Sequence, residues 1–149
     1  INGPNLNRLG KREPAIYGHE TLDDLEKKMQ EIAKDTSIIL HFFQSNHEGM
    51  IIDAIHNAEE EFDGIILNPG AFTHYSYAIR DAIESIDVPV VEVHISNIHA
   101  RESFRHQSVI APVTCGQIVG FGLSGYELAM QGLINILRGK KDGKVNKTT

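Results

Sequence analysis

Residues 64–95 read GIILNPGAFTHYSYAIRDAIESIDVPVVEVHI, with an apolar segment of strand length at each end. The two segments are Gly64–Leu67 and Val88–Ile95, and both are rich in β-branched residues, as strands are. Between them lies an amphipathic helix, because apolar residues recur at the spacing of one helix face at Ala78, Ile79, Ala82, Ile83 and Ile86. A strand, a helix and a second strand in this order predict two parallel strands joined by a crossover helix.

The same alternation continues on both sides of this unit. Strands are predicted at Ile38–Phe43 and Gln117–Phe121, since both segments are apolar and of strand length. A further strand is predicted at the start of the chain, where only Ile1 and Asn2 of it are present. We expect several upstream residues of that first strand to be absent from this numbering.

Amphipathic helices separate the strands. One is predicted at Leu22–Ala33, where Thr21 and Asp24 are placed like a capping box. Two more are predicted at Ile51–Ala58 and at Ser124–Leu137. Strands alternating with helices predict an α/β fold: a flavodoxin-like three-layer sandwich, with a five-stranded parallel sheet of order 2-1-3-4-5 and helices on both faces.

Length and composition agree with a single domain. The chain has 149 residues, enough for one core, and we expect one flavodoxin-like domain over residues 1–138. Residues 139–149 lack apolar periodicity and are expected to form a disordered tail. The net charge is -6 and the basic residues are scattered, which argues against a nucleic-acid partner.

The expected location is the cytoplasm. No apolar run is long enough for a membrane span, and no charged-then-apolar leader is visible. The single cysteine, Cys115, cannot form an internal disulfide, so nothing indicates an oxidising compartment.

Three polar clusters follow predicted strands. They are Asn2–Asn7, Asn68–His74 and His94–Asn97. Each alone reads as an ordinary turn, because Asn, Pro and Gly are common turn residues. However, ligands bind at the carboxyl ends of strands in open α/β sheets, so three such clusters predict one pocket at that edge.

The strand before the last of these clusters suggests a catalytic pair. Glu92, His94 and Ser96 share one strand face, so Glu92 is able to hydrogen-bond the His94 imidazole. A carboxylate behind a histidine fixes its tautomer and raises its basicity, which suits a general acid. The alternative is that Glu92 forms an ion pair with Arg101 or Arg105.

Neither a metal nor another cofactor is predicted. Eight histidines invite a metal hypothesis, but the chain has no His-Glu-x-x-His motif, and His94 and His99 straddle a strand end. An imine mechanism needs a desolvated lysine, and the only candidate is Lys11, in a polar loop.

Four motifs in order resemble the type II 3-dehydroquinate dehydratases, and the similarity runs from Asn2 to about Leu137. The chain departs from the family pattern in the missing start of the first strand and in Tyr75, where many members carry Thr. The motifs are Asn2–Asn7, Arg8–Gly18, Asn68–His74 and Glu92–Asn97, the last followed by Arg101 and Arg105.

The resemblance implies a cofactor-free anti elimination of water from 3-dehydroquinate through an enolate. By position, Tyr17 matches the base, Arg12 the arginine beside it on a mobile lid, and Asn5 the holder of a water near the enolate oxygen. His94 matches the general acid, with Glu92 behind it. The lid is expected to span Asn7–Gly18 with Gly10 and Gly18 as hinges, and Arg12 and Arg105 are expected to bring positive charge to Tyr17.

The resemblance also implies substrate-binding residues and an assembly. Asn68, Ile95 and Ser96 match a cradle for the substrate carboxylate, and His74 and Arg105 match ligands of the ring hydroxyls. Asp81 matches a residue that reaches a neighbouring subunit's site. The family forms trimers that assemble into dodecamers.

The main alternative is a flavodoxin-like small-molecule binding or signalling module without catalysis. A flavin binder favours a hydroxyl- and Gly-rich phosphate loop after the first strand, where this chain has Asn2–Asn7. A signalling receiver favours an acidic cluster at the strand ends, where this chain has asparagines.

Overall fold

A computed structural model of the chain describes the backbone of residues 1–145 and the side chains of residues 1–141. Its sheet has three parallel strands: β1 (Ile65–Leu67), β2 (Val90–His94) and β3 (Gly116–Val119), in the order β1-β2-β3. Ile65 lies opposite Val90, and Glu92 lies opposite Gln117. The strand–helix–strand unit predicted for residues 64–95 is therefore confirmed as a parallel pair.

The other edge of the sheet differs from the prediction. Asn2 forms two isolated parallel bridges, one to Gln44 and one to Asn68, but residues 38–43 form no strand. The prediction of a strand at Ile38–Phe43 is therefore wrong for this structure. A strand needs a neighbouring strand along its whole length. Within the described residues, this segment has a backbone hydrogen bond to a neighbouring strand segment only at its end, where the Asn2 amide donates to Phe43 O over 2.8 Å.

Five helices accompany the strands in the described part of the chain. The Thr21 hydroxyl accepts from the Asp24 amide over 3.1 Å, and the Asp24 carboxylate accepts from the Thr21 amide over 2.9 Å, which confirms the predicted capping box. The short first helix follows a loop and was not predicted. The helices are α1 (Pro14–Tyr17), α2 (Leu22–Ala33), α3 (Glu48–Glu61), α4 (Tyr77–Glu84) and α5 (Ser124–Val145).

The last helix is longer than the sequence predicts. It continues past Leu137 to Val145, so residues 139–145 are helical where a disordered tail was expected. Lysines such as Lys140 and Lys141 lose little rotamer freedom in a helix, so a missing apolar face does not by itself end one. Residues 146–149 of the predicted tail lie outside the described residues.

Helices pack on both faces of the sheet. On one face, α3 and α4 bury Ile51, Ile55 and Ile79 against Leu67. On the other, α2 and α5 share a core cluster with Val93, whose other members include Leu25, Met29, Tyr126 and Met130. This arrangement leaves the carboxyl ends of the strands open between the layers. None of the helices in residues 1–145 has the length and apolar composition needed to span a bilayer.

Candidate active site

Two of the polar turns are in direct contact. The Gly3 amide donates to Asn68 O over 2.7 Å, and a Cβ added at Gly3 would lie 2.6 Å from Pro69 O. Only glycine fits so close to a neighbouring backbone, so Gly3 allows the turn after Asn2 to lie against the turn after β1.

These turns and the end of β2 line one cleft. Most of the predicted site residues lie at its wall, whereas Glu92 is buried behind it and Asp81 is exposed on α4. The predicted residues that line the cleft are Asn5, Arg12, Tyr17, Asn68, His74, His94, Ile95, Ser96 and Arg105.

Glu92 and His94 form a buried pair. His94 Nε2 lies 2.9 Å from Glu92 Oε1, and Glu92 is 0% exposed. Burial alone would raise the pKa of Glu92, but hydrogen bonds from His94, Thr73 and Ser108 and the charge of His94 outweigh it and hold that pKa below its ordinary value. A carboxylate accepts only, so His94 Nε2 carries a proton and donates it. The alternative ion pair of Glu92 with Arg101 or Arg105 is not formed.

Tyr17 lies between two arginines. Arg101 Nη1 donates to the Tyr17 hydroxyl over 2.7 Å, and the Arg12 and Arg101 guanidinium carbons lie 5.0 and 5.3 Å from the centre of the Tyr17 ring. Arg105 instead pairs with Glu102, with Nε and Oε2 3.0 Å apart. The second positive charge at Tyr17 therefore comes from Arg101 and not, as predicted, from Arg105.

Arg101 is the main residue that sequence reasoning missed. Its side chain is only 11% exposed, and Nη1 also donates to Ser96 Oγ over 3.2 Å. Its Nε is buried and has no hydrogen-bond partner among the described residues. A buried donor without a partner is costly to the folded state. The sequence analysis named Arg101 as a possible partner of Glu92 and as part of the last family motif, but it gave Arg101 no role at Tyr17.

His74 lies on the turn after β1. Its Nδ1 donates to Gln107 O over 2.8 Å. Burial is the main cause that lowers the pKa of His74, and the charges of His94 and Arg105 lower it further, against the opposing effects of the Gln107 hydrogen bond and the Glu92 charge. The ring is therefore held in its neutral form, with Nε2 free to accept.

Asn68 is fixed by a residue from α5. Its Nδ2 donates to the Tyr126 hydroxyl over 2.9 Å, and its Oδ1 accepts from the Gly70 amide over 3.1 Å. The Tyr126 hydroxyl in turn donates to Asn2 Oδ1 over 2.7 Å, and burial raises the pKa of Tyr126. Asn68 keeps one amide hydrogen for a ligand. No local sequence signal indicated Tyr126, because the contact joins residues 58 positions apart.

Ile95 and Ser96 are buried and follow β2 directly, at the carboxyl edge of the sheet. Asn5 is exposed beside them with a left-handed backbone, φ 68°. No group of three or more His, Cys, Asp or Glu side chains in the described part of the chain is arranged to hold a metal ion.

The fold and the cleft define an acid–base enzyme site, with a tyrosine between arginines and a histidine backed by a carboxylate. The family model described as dehydroquinase class II matches residues 1–134, and the chain belongs to that family. It is similar to the 3-dehydroquinate dehydratase of Anoxybacillus flavithermus, with 66% identity over 140 residues, covering 94% of this chain and 95% of the relative. The corresponding protein of Halalkalibacterium halodurans is 69% identical over 134 residues, covering 90% and 92% of the two chains.

A solved structure from the same family is also similar to this chain. The type II dehydroquinase of Butyrivibrio crossotus superposes with a TM-score of 0.88 at 55% identity, covering 89% of this chain and 93% of that one. Relatives with these names favour an enzyme over the binding or signalling module.

Proposed function

We propose that this chain converts 3-dehydroquinate to 3-dehydroshikimate by elimination of water, as the names of its relatives indicate for those proteins. The observation that carries the proposal is the pairing of Tyr17 with Arg101 and of His94 with Glu92 at one cleft. Such a site supplies a base and an acid without a cofactor. The reaction belongs to the shikimate pathway or to quinate breakdown.

The proposed chemistry is an anti elimination in two proton transfers. The Tyr17 oxygen takes a proton from the carbon next to the substrate carbonyl, and the electron pair of the broken C–H bond forms an enolate. The enolate then collapses, the bond from C1 to its hydroxyl breaks, and His94 gives the proton on Nδ1, the ring nitrogen that does not contact Glu92, to the departing oxygen. One water leaves, and the proton taken by Tyr17 must return to His94 before the next turnover.

Positive charge supports the base. An ordinary tyrosine is mostly protonated at neutral pH, so a tyrosine base needs cations beside it. Arg12 and Arg101 meet that need, because both guanidinium groups lie within about 5 Å of the ring centre. Asn5 is proposed to hold a water at the enolate oxygen.

The substrate carboxylate is proposed to bind Asn68 and the backbone amides of Ile95 and Ser96. The free amide hydrogen of Asn68 supports this assignment. His74 and Arg105 are proposed to bind the ring hydroxyls. The lowered pKa of His74 supports a neutral ring whose Nε2 accepts one hydrogen bond there, since Nδ1 donates to Gln107 O.

The proposed assembly is a trimer that associates further into a dodecamer, with Asp81 reaching a neighbour's cleft. The exposure of Asp81 supports this role, and so do Tyr75 and Tyr77, which are 59% and 64% exposed on the same segment. Sedimentation of an active, stable monomer would contradict it. The cytoplasmic location stays a prediction.

The finer topology is proposed as a five-stranded flavodoxin-like sheet of order 2-1-3-4-5. The two bridges of Asn2 support it, because they set the Gln44 segment, the Asn2 segment and β1 side by side in that order.

The activity is tested by following the ultraviolet absorbance of the conjugated product after 3-dehydroquinate is added. Tyr17→Phe keeps the ring but removes the proton-accepting oxygen, so we expect turnover to fall by about 10²–10⁴-fold. Tyr77→Phe removes a hydroxyl from an exposed tyrosine outside the cleft and is the matched control, with sedimentation to check that its assembly is unaltered. Absence of product from the unaltered protein would overturn the proposal, and normal turnover in Tyr17→Phe would assign the base elsewhere.

A second test asks whether the reaction passes through an imine or needs a metal ion. We expect activity to survive borohydride in the presence of substrate and to survive chelators, because the enolate route needs neither a lysine nor a metal. Inactivation with substrate mass added at Lys11 would contradict the enolate route.

A further inference from the structure

Glu92 receives an unusual number of hydrogen bonds for one carboxylate. Its Oε1 accepts from His94, Thr73 and Ser108, and its Oε2 lies 3.1 Å from Ser108 Oγ and 2.8 Å from Gln117 Nε2. The group is completely buried. A buried carboxylate is stable as an anion only when such donors replace water.

The hydroxyl groups have little freedom in this arrangement. Ser108 Oγ accepts from the Ile110 amide over 3.1 Å and from the Ala111 amide over 2.9 Å. Its two lone pairs are therefore used, and its single hydrogen is left for the carboxylate. Thr73 Oγ1 lies 2.7 Å from Ser108 Oγ, which has no lone pair left to accept, so the Thr73 hydroxyl donates to Glu92.

Gln117 reaches Glu92 through strand pairing. The two residues are opposite each other in the parallel register of β2 and β3, so their side chains leave the sheet on the same face about 5 Å apart. The atom of Gln117 that faces Glu92 is the amide nitrogen, because a carboxylate oxygen requires a donor. Gln117 is the closest donor to Oε2, the oxygen that does not contact His94.

We infer that Gln117 is a positioning residue for the acid half of the site: its amide holds Glu92 Oε2 so that Oε1 stays ionised and aligned on His94. The role of Gln117 is indirect, since it touches neither the cleft nor a reacting atom. The inference rests on the proposed role of His94 as the acid. The titratable and charged groups that face Glu92 are His94 on the same strand, His74 on the turn after β1 and, beside His74, Arg105.

The first test is turnover of Gln117→Leu, which keeps the approximate size of the side chain and removes the donor. We expect kcat to fall by about tenfold with KM little changed, because one of the hydrogen bonds to the charged carboxylate is lost. Gln131→Leu makes the same change at an exposed position of α5 and is expected to keep full turnover. Gln117→Met repeats the test with an unbranched side chain.

The second test is a double-mutant cycle. Glu92→Gln removes the negative charge to which Gln117 donates. The double variant Glu92→Gln, Gln117→Leu is therefore expected to have the same kcat as Glu92→Gln alone. If the fold-decreases in kcat of the two single variants multiply in the double variant, Gln117 acts on something other than Glu92 and the inference is wrong.

The third measurement is the free energy of unfolding as a function of pH. If Gln117 had a purely structural role, the effect of its substitution on this free energy would not depend on pH. The folded pKa of Glu92 lies below its ordinary value of 4.5, so its contribution is present above that pH and is lost as pH falls through the folded pKa. Gln117→Leu removes a donor from Glu92 Oε2 and is therefore expected to raise the folded pKa of Glu92. The difference in unfolding free energy between the unaltered protein and this variant should then be wide above pH 4.5 and should narrow below it. A gap of constant size from pH 3 to 7 would overturn the inference.

These outcomes separate this inference from the proposed function. Normal turnover in His94→Ala would remove the assigned acid, while the narrowing stability gap would still demonstrate the Gln117–Glu92 contact. A large loss in His94→Ala together with unchanged turnover in Gln117→Leu and Gln117→Met would leave the function intact and overturn the role of Gln117.

Discussion

The acid half and the base half of the cleft are built differently. His94 is 6% exposed on the central strand, and its partner Glu92 is fully buried among four hydrogen-bond donors. Tyr17 ends the four-residue helix α1, none of whose residues is buried, and the loop before it contains Glu13 with a left-handed backbone, φ 38°. The proposed acid is therefore fixed by the sheet. The position of the proposed base depends on a short helix and its loop, whose contacts include those of Tyr17 and Glu13 with Arg101.

The largest expected effect is on the acid half. His94→Ala removes the proposed proton donor, so turnover should fall by about 10²–10⁴-fold while KM changes much less. His56→Ala, at an exposed position of α3, is the matched control. Steady-state kinetics with 3-dehydroquinate measures both constants. Unchanged turnover in His94→Ala would assign the acid elsewhere, with His74 as the next candidate.

The two arginines after β2 provide the next comparison. Arg101 donates to the Tyr17 hydroxyl, whereas Arg105 pairs with Glu102. Arg101→Lys keeps the charge but loses the fork of donors, so we expect kcat to fall by about 10–100-fold, since one charge-assisted hydrogen bond contributes about 1.5–3 kcal/mol.

Arg105→Lys is its matched partner and is expected to raise KM more than it lowers kcat, because its proposed partner is a substrate hydroxyl. Equal effects of the two substitutions on kcat would contradict a special role for Arg101 at the base. If Arg12→Ala leaves kcat unchanged, Arg101 alone provides the positive charge that Tyr17 needs as a base.

The predicted mobility of the lid is tested by limited proteolysis. The loop from Asn7 to Gly18 contains three trypsin sites, Arg8, Lys11 and Arg12. If the loop opens, cleavage should begin there and should slow by about tenfold or more when a substrate analogue holds it closed, because cleavage follows the population of the open form. Mass spectrometry of the fragments locates the cuts. Identical cleavage rates with and without the analogue would mean that the loop is not a lid.

The smallest expected effect concerns His74. Its folded pKa is lowered, mainly by burial, so the ring should titrate below 6.5 in an NMR pH titration. Folding then favours the neutral ring, and the stability it contributes is present above pH 6.5 and is lost as pH falls. His74→Gln assigns the signal and should make the stability curve flatter in this range. A His74 signal that titrates above 6.5 would contradict the assignment of a neutral ring.

Much of the fold was predictable because its signals are local. The alternation of strands and helices depends on residues a few positions apart, and so does the capping box of Thr21 and Asp24. The failures have physical causes of longer range. Residues 38–43 have strand composition, yet a strand forms only beside a neighbour, and Asn2 offers one only at their end.

The sequence alone determined the class of the chain: a parallel α/β protein with polar turns at the strand ends, whose motifs are those of a dehydroquinase. These features are carried by neighbouring residues and therefore survive in a linear reading. Only the tertiary structure determined which side chains meet across the cleft. Arg101 rather than Arg105 reaches Tyr17, 84 residues away, and Gln117 reaches Glu92 across two strands. Such contacts depend on the register of strands and the path of loops, and no local spacing in the chain encodes them.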